Sequence, residues 1–177
     1  MSEITVLAVV GSLRSGSLNR ELAEVVVANA PEGVRVEIAE GIAEVPFYNE
    51  DIDGEDTPAA AAALRERIAA ADALLLLAPP NNGTVSAVLK NVIDWGSRPY
   101  GASVLSGKRV ALAGVGHRLD TTLADAERAV TIAGGEVPEG LVEEFPISGL
   151  GGRSPREHDA VVQRAGDLLE RLVAPVR

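Results

Sequence analysis

Hydroxyl, amide and guanidinium groups are concentrated near the N-terminus, in the stretch from Gly11 to Asn19. This stretch contains two glycines, three serines, one arginine and one asparagine. Glycine lets the backbone turn tightly, and hydroxyl and N–H groups at the start of a helix attract negative charge. Arg14 adds a planar guanidinium group that suits phosphate oxygens. The composition predicts a binding site for a single terminal phosphate group.

The spacing of these residues separates the stretch from two common phosphate-binding loops. It is not the Gly-x-Gly-x-x-Gly pattern of dinucleotide sites, and no Gly-Lys-Ser/Thr follows, as a Walker A loop requires. A simpler interpretation stays open. The stretch is then an ordinary strand-to-helix turn in which Ser17 or Asn19 only caps the helix.

Apolar strands that alternate with helices must position this loop. The run from Ile4 to Val10 predicts a buried parallel strand directly before it. Further strands are predicted at 34–38, 73–78, 108–115 and 139–145. The predicted helices run from about Leu18 to Ala30, from a Thr57 cap and Pro58 to about Ala71, through Leu89 to Trp95, from about Asp120 to Ala133, and from the capping box that begins at Ser154 to about Val173.

Five strands that are each followed by a helix predict a doubly wound parallel sheet, in one α/β domain covering residues 1–177. The expected strand order is the flavodoxin-like 2-1-3-4-5. Ligands of such sheets bind outside the carboxyl ends of the strands, at the switch point between strands 1 and 3. The loops after Val10 and Ala78 are therefore expected to form the site.

The second of these loops begins with two prolines, two asparagines and a glycine, at positions 79–83. The prolines end the strand sharply, and the other three residues expose backbone N–H and C=O groups that can bind the edge of a planar heterocycle. Asparagine and glycine are also common turn formers, and the spacing alone favours that interpretation.

Composition limits the classes of function that remain. The formal charge of −10 argues against binding to nucleic acid or to an anionic membrane surface. Cysteine is absent, and the two histidines, His117 and His158, form no metal-binding motif. The first residues lack the basic segment of a signal peptide, and the longest apolar runs are strand-sized. We expect a cytoplasmic protein that binds no metal, no nucleic acid and no membrane.

Several motifs in chain order carry a family resemblance. The stretch from Gly11 to Asn19 matches Gly-Ser-Leu-Arg-x-Gly-Ser-x-Asn, and the stretch from Pro46 to Asp51 matches Pro-Phe/Leu-Tyr-Asn-Glu-Asp. Further matches are Leu89, Lys90, Asn91, Asp94 and Trp95, the Ser-Arg-Pro at 97–99, and Gly107-Lys108. On these residues the chain resembles the NADPH-dependent FMN reductase family of flavodoxin-like proteins, which includes azo and quinone reductases.

The resemblance implies an FMN-dependent NAD(P)H oxidoreductase. Such an enzyme passes a hydride from nicotinamide to bound flavin and on to a flavin, quinone or azo-type acceptor, and it needs no catalytic side chain because the flavin carries the chemistry. The resemblance assigns Ser12, Arg14, Ser17 and Asn19 to the FMN phosphate, and Pro79, Asn81, Asn82 and Gly83 to the isoalloxazine and ribityl side. Leu18, Pro80, Gly114, Gly116 and His117 complete the predicted cofactor-binding set.

The resemblance also implies a homodimer, in which Phe47, Tyr48 and the helix around Trp95 lie at the subunit contact. The aromatic pair has a second interpretation, in which both rings fold back to cover the core. Lys90, Asp94 and Trp95 are expected to be scaffold residues. Whether dimers pair into tetramers, and whether NADPH or NADH is preferred, stays open.

Two departures from the family pattern affect the ring end of the site. Pro80-Asn81 replaces the usual Glu-Tyr, and Gly116-His117-Arg118 replaces a loop rich in glycine and serine. We therefore expect FMN to bind while ordinary quinone and azo acceptors are reduced poorly. Two alternatives stay open: a flavodoxin-type acidic electron carrier without nicotinamide turnover, and a divergent member that has lost its flavin.

Overall fold

The computed structural model describes residues 3–176, which contain a five-stranded parallel sheet. The strand order is β2-β1-β3-β4-β5, so the predicted doubly wound, flavodoxin-like architecture is confirmed. Each strand leads into the next through a crossover that contains a helix, as parallel pairing demands. The strands are β1 (Ile4–Val10), β2 (Val34–Ile38), β3 (Ala73–Leu77), β4 (Arg109–Gly116) and β5 (Val142–Pro146).

Five helices cover the two faces of the sheet. α1 and α5 pack on one face, while α2, α3 and α4 pack on the other. Because both faces are covered, β1, β3 and β4 are nearly continuous apolar runs. None of the helices in residues 3–176 is long and apolar enough to cross a membrane. The helices are α1 (Leu18–Ala28), α2 (Ala59–Ala70), α3 (Ala87–Gly96), α4 (Leu119–Ile132) and α5 (Asp159–Val173).

Two predicted helix starts are wrong. Thr57 does not cap α2, because its hydroxyl closes a local turn by donating to the Gly54 carbonyl at 2.8 Å. The capping box after β5 forms, with the Ser154 N–H donating to Glu157 Oε2 at 2.8 Å, but it opens only a short 3-10 turn. The chain turns again at His158, and α5 begins one residue later.

The stretch after β2 is fastened to α3 through Trp95, which is fully buried. The indole N–H donates to the Pro46 carbonyl at 2.7 Å, and the Tyr48 ring meets the indole edge-on at 5.1 Å. The Arg65 guanidinium lies 5.0 Å from the indole centre and pairs with Asp53. Trp95 is therefore a scaffold residue and cannot itself contact a partner.

The aromatic pair of this stretch divides between its two predicted roles. Tyr48 folds back against Trp95, and its N–H donates to Asn91 Oδ1 at 2.8 Å. Phe47 points away from the core and is 76% exposed. Phe47 is thus the largely exposed ring of the pair, while Tyr48 is partly buried.

Replacing Trp95 by alanine is expected to lower the free energy of unfolding by about 3–5 kcal/mol, because it leaves a large cavity and removes the donor to Pro46. Chemical denaturation followed by circular dichroism measures the loss. Tyr100, which is 91% exposed, is the matched control, and its change to alanine is expected to alter stability by less than about 0.5 kcal/mol. Equal losses for both variants would contradict this role of Trp95.

Candidate cofactor site

A cleft of about 860 Å³ opens at the carboxyl edge of the sheet, where the loops after β1, β3 and β4 meet. This is the position at which doubly wound sheets bind ligands, and the volume lies within the range of cofactor pockets. Twelve of the thirteen predicted cofactor-binding residues line it. They are Ser12, Arg14, Ser17, Leu18, Asn19, Pro79, Pro80, Asn81, Asn82, Gly83, Gly116 and His117.

Gly114 is the predicted residue that does not line the cleft. It lies inside β4, and a Cβ at this position would be 2.6 Å from the Ala78 carbonyl oxygen. Its role is to let two strands approach closely. The lining also includes Gly11, Leu13, Val88, Val115, Arg118 and Ile147. Of these, Ile147 directly follows β5, so the rule that parallel strands end at one edge would have found it.

The serines of the first loop keep their hydroxyl protons available. Ser17 Oγ accepts the Arg20 N–H at 3.3 Å as the N-cap of α1, and Ser12 Oγ accepts the Arg14 N–H at 3.4 Å. Since a hydroxyl that accepts can still donate, both groups can bind an anion. The first turn of α1 also offers N–H groups that no carbonyl of the helix can accept. The capping interpretation of Ser17 is thus confirmed, and it leaves phosphate binding open.

Arg14 lies over its own loop. A Cβ at Gly16 would be 3.5 Å from Arg14 Nη1. Within residues 3–176 the guanidinium forms neither a hydrogen bond nor an ion pair. Arg20, by contrast, donates to Glu40 at 2.7 Å, and this hydrogen bond is the main reason that the pKa of Arg20 is raised. Arg14 is therefore the arginine of this loop that can bind a ligand.

Asn19 connects the first loop to β4. Its Oδ1 accepts the Val115 N–H at 3.0 Å, and its Nδ2 donates to the Val115 carbonyl at 3.1 Å. The side chain is buried, and both ends of the amide are used. Asn19 lines the cleft and holds its wall in place, and these two hydrogen bonds use only one of the two N–H groups on Nδ2.

The second loop is a tight turn that is anchored to α4. Asn81 and Thr84 exchange backbone hydrogen bonds of 3.2 and 3.1 Å, while Asn82 and Gly83 have φ values of 54° and 79°. Positive φ at both central residues is the geometry that Asn-Gly favours. Thr121 Oγ1 donates to the Gly83 carbonyl at 2.7 Å. The turn-forming interpretation of this loop is confirmed.

The walls of the cleft approach each other at two glycines. A Cβ at Gly11 would lie 2.8 Å from Ser86 Oγ and 2.9 Å from Pro79 Cδ. A Cβ at Gly116 would lie 2.4 Å from Pro80 Cγ. Pro80 therefore rests directly on the end of β4, and its ring forms part of the rigid wall between the second and third loops.

The cleft is basic although the chain is acidic. Its ionisable lining residues are Arg14, His117 and Arg118, and no carboxylate of residues 3–176 lines it. Nowhere in this part of the chain do three or more metal-ligating side chains cluster as a metal site would need. The lining is thus complementary to an anion and to a flat polar ring, which fits FMN.

A five-stranded parallel sheet in the order 2-1-3-4-5, with a cleft at its switch point, identifies the flavodoxin-like fold. The chain belongs to the NADPH-dependent FMN reductase family, whose model matches residues 4–137. The family resemblance seen in the sequence is confirmed.

Two curated relatives and one solved structure support this membership. A quinone reductase of Pseudomonas putida is 45% identical over 116 residues, which are 65% of this chain and 62% of the relative. An NAD(P)H-dependent FMN reductase of Pseudomonas aeruginosa is 44% identical over 63% of this chain and 60% of its own length. The flavoenzyme NAD(P)H:(acceptor) oxidoreductase FerB of Paracoccus denitrificans superposes with a TM-score of 0.77, at 25% identity, over 97% of this chain and 98% of its own.

Changing Gly116 to alanine is expected to lower the free energy of unfolding by about 1–3 kcal/mol, because the new methyl group overlaps the Pro80 ring. Pro80→Ala removes the ring atoms that collide with it, so the double variant is expected to recover most of the loss. Urea unfolding of both single variants and the double variant gives the coupling energy.

The matched control is Gly149→Ala, where a Cβ would meet nothing within 4 Å. Its stability is expected to change by less than about 0.5 kcal/mol. Simple addition of the Gly116 and Pro80 effects, with no coupling between them, would contradict the contact.

Proposed function

We propose that this protein is an FMN-dependent NAD(P)H oxidoreductase that reduces a quinone-type acceptor. The observation that carries the proposal is the phosphate end of the cleft, where Arg14, two serine hydroxyls and the first turn of α1 converge. Membership of the FMN reductase family supports the choice of cofactor and reductant. The similarity to the quinone reductase of Pseudomonas putida supports the quinone-type acceptor.

The residues that would hold FMN follow from the shape of the cleft. Arg14, Ser12 and Ser17 would bind the phosphate, while Leu18 would pack beside it. The second loop, residues 79–83, would border the ribityl chain and the isoalloxazine, with Gly116 and His117 on the opposite wall. Asn19 would hold the wall of the cleft through its two hydrogen bonds to Val115, and its second amide N–H would donate to the phosphate.

The protein contributes position and charge to the reaction. When bound, FMN supplies the redox chemistry, taking a hydride from nicotinamide and delivering the electrons to the acceptor. Pro80 and the 81–84 turn keep the wall of the ring end rigid, because the turn is bonded to α4. Arg118 would bring positive charge to this end, where it would stabilise negative charge that develops during reduction, and the His117 ring would offer a hydrogen bond beside it.

The alternative of a flavodoxin-type electron carrier receives no support. The relatives that resemble this chain are described as reductases that use NAD(P)H or quinones.

Because nicotinamide nucleotides are cytosolic reductants, we also propose a cytoplasmic location.

Arg14→Ala is expected to weaken FMN binding roughly ten- to a hundredfold, because a charge-assisted hydrogen bond to the phosphate is lost. Riboflavin has no phosphate, and its affinity is expected to stay nearly unchanged. Titration of the apoprotein with each ligand, followed by flavin fluorescence, measures both affinities.

Arg35→Ala provides the control, because Arg35 lies on the edge strand β2, outside the cleft. There it pairs with Glu37 of the same strand and with Glu3, which precedes β1. This variant is expected to bind FMN as the unmodified protein does. A parallel loss of FMN and riboflavin affinity in Arg14→Ala would overturn the phosphate assignment.

We further propose a homodimer whose contact includes the exposed ring of Phe47. Phe47→Asp is expected to shift the FMN-loaded protein toward monomer at micromolar concentration, because a charge would be buried in the contact. Light scattering measures the mass. Val27→Asp, on α1 at the opposite face of the sheet, is the control and should leave the dimer intact. A monomeric unmodified holoprotein would refute the proposal.

A further inference from the structure

The described residues include thirteen arginines, and most of them have a partner. Ten bind a carboxylate, a carbonyl oxygen or an imidazole nitrogen. In this part of the chain that leaves Arg14, Arg98 and Arg118 without such a partner. Arg98 lies over the Tyr48 ring at 5.3 Å. The other two both line the cleft.

Arg118 is held by its backbone at the ring end of the cleft. Its φ is 53°, an unfavourable value for a residue with a Cβ. Its carbonyl accepts the Thr122 hydroxyl at 3.1 Å and the Thr121 hydroxyl at 3.3 Å, which ties it to the start of α4. A Cβ at Gly83 would lie 3.9 Å from Arg118 Cδ, so the side chain runs along the second loop.

The two arginines belong to different parts of the site. Arg14 follows β1, whereas Arg118 follows β4, and β3 lies between these strands in the sheet. The proposed phosphate of FMN requires only one of them. The chain has 26 aspartate and glutamate residues, so potential partners for Arg118 are plentiful. Arg118 nevertheless lines the cleft without pairing with a carboxylate of residues 3–176.

We infer that Arg118, assisted by His117, binds an anionic group on the electron acceptor, so that the protein prefers quinones that are ionised at neutral pH. This inference rests on the proposed function. A hydroxyquinone anion is flat and spreads its charge over neighbouring oxygens, which matches the two-pronged geometry of guanidinium. A neutral quinone of the same ring size can accept a hydrogen bond from Arg118 but lacks the attraction between opposite charges.

The overall reaction balances without a further reactant. The C4–H bond of NAD(P)H breaks, and NAD(P)+ leaves. The quinone takes up two electrons with one proton from that hydride and one proton from water, which converts both carbonyl groups to hydroxyl groups. Reduction removes the carbonyl groups that make this hydroxyl acidic, so the substituent becomes an ordinary phenol and takes up a second proton from water. Arg118 therefore binds the ionised quinone and releases the neutral product.

The test compares 2-hydroxy-1,4-naphthoquinone, which is ionised at pH 7, with neutral 1,4-naphthoquinone. Calorimetry measures the binding of each to the oxidised FMN-loaded protein without any nicotinamide. Arg118→Gln removes the charge and keeps a polar, though shorter, side chain. It is expected to weaken binding of the anion roughly ten- to a hundredfold and binding of the neutral quinone by less than about twofold.

Two control variants separate local charge from net charge. Arg118→Lys keeps the charge and should retain most of the affinity for the anion. Arg128→Gln removes the same charge from α4 outside the cleft, next to Asp125, and should leave both affinities unchanged. Raising the salt concentration should weaken anion binding in the unmodified protein and have little effect in Arg118→Gln.

Three outcomes would overturn the inference. Equal affinity of Arg118→Gln and the unmodified protein for the anion refutes it while leaving the proposed reductase intact, provided that NAD(P)H still drives quinone reduction. Weaker binding of NADPH with unchanged anion binding assigns Arg118 to the nucleotide phosphates. If the unmodified holoprotein neither binds a quinone nor oxidises NAD(P)H with one, the proposed function fails as well.

Discussion

The side-chain amide of Asn19 fixes the spacing on which the whole cleft depends. Pairing between β3 and β4 ends at Leu77 and Ala113, and Ala78 donates to the Ala113 carbonyl. The chain then enters two prolines, which have no N–H to extend the ladder. Asn19 takes over, since its amide both donates to Val115 and accepts from it. One buried side chain thus joins the helix that follows β1 to the end of β4, across the strand between them.

Close approach, more than unusual backbone dihedrals, explains the glycines of the cleft wall. Neither Gly11 nor Gly116 has a positive φ, yet a Cβ at either position would collide with a proline ring. Pro79 and Pro80 follow β3, and they can pack this closely only because the ends of the neighbouring strands β1 and β4 carry Gly11 and Gly116. The departure from the family pattern at Pro80 is therefore linked to Gly116, and the two positions are expected to change together.

Periodicity and the geometry of parallel sheets were sufficient to predict much of this structure. Strand order followed from the alternation of elements, and twelve predicted residues meet in the cleft because they follow strands that end at one edge. Local patterns failed where a distant contact decides. The capping box at Ser154 predicts a continuous helix, but His158 turns the chain and its Nε2 lies 2.6 Å from the Leu150 carbonyl. Likewise, Tyr48 packs inward and Phe47 points outward because Trp95 lies beside Tyr48. The residues around Phe47 and Tyr48 do not indicate where Trp95 lies in the fold.

Arg14 and Arg118 lie on different loops of the cleft, so that in the proposed function cofactor binding and acceptor choice would vary independently. The phosphate end is built on the β1 loop, and its arginine and hydroxyl groups match the family motif. The ring end is built on the β3 and β4 loops, and there the chain departs from the motif at Pro80 and at Arg118. Because the Asn19 amide contacts only the backbone of Val115, the side chains that follow in the β4 loop can change while the wall stays in place. In the proposed assignment, a change at Arg118 would therefore alter which acceptor binds without disturbing the groups proposed to hold the phosphate.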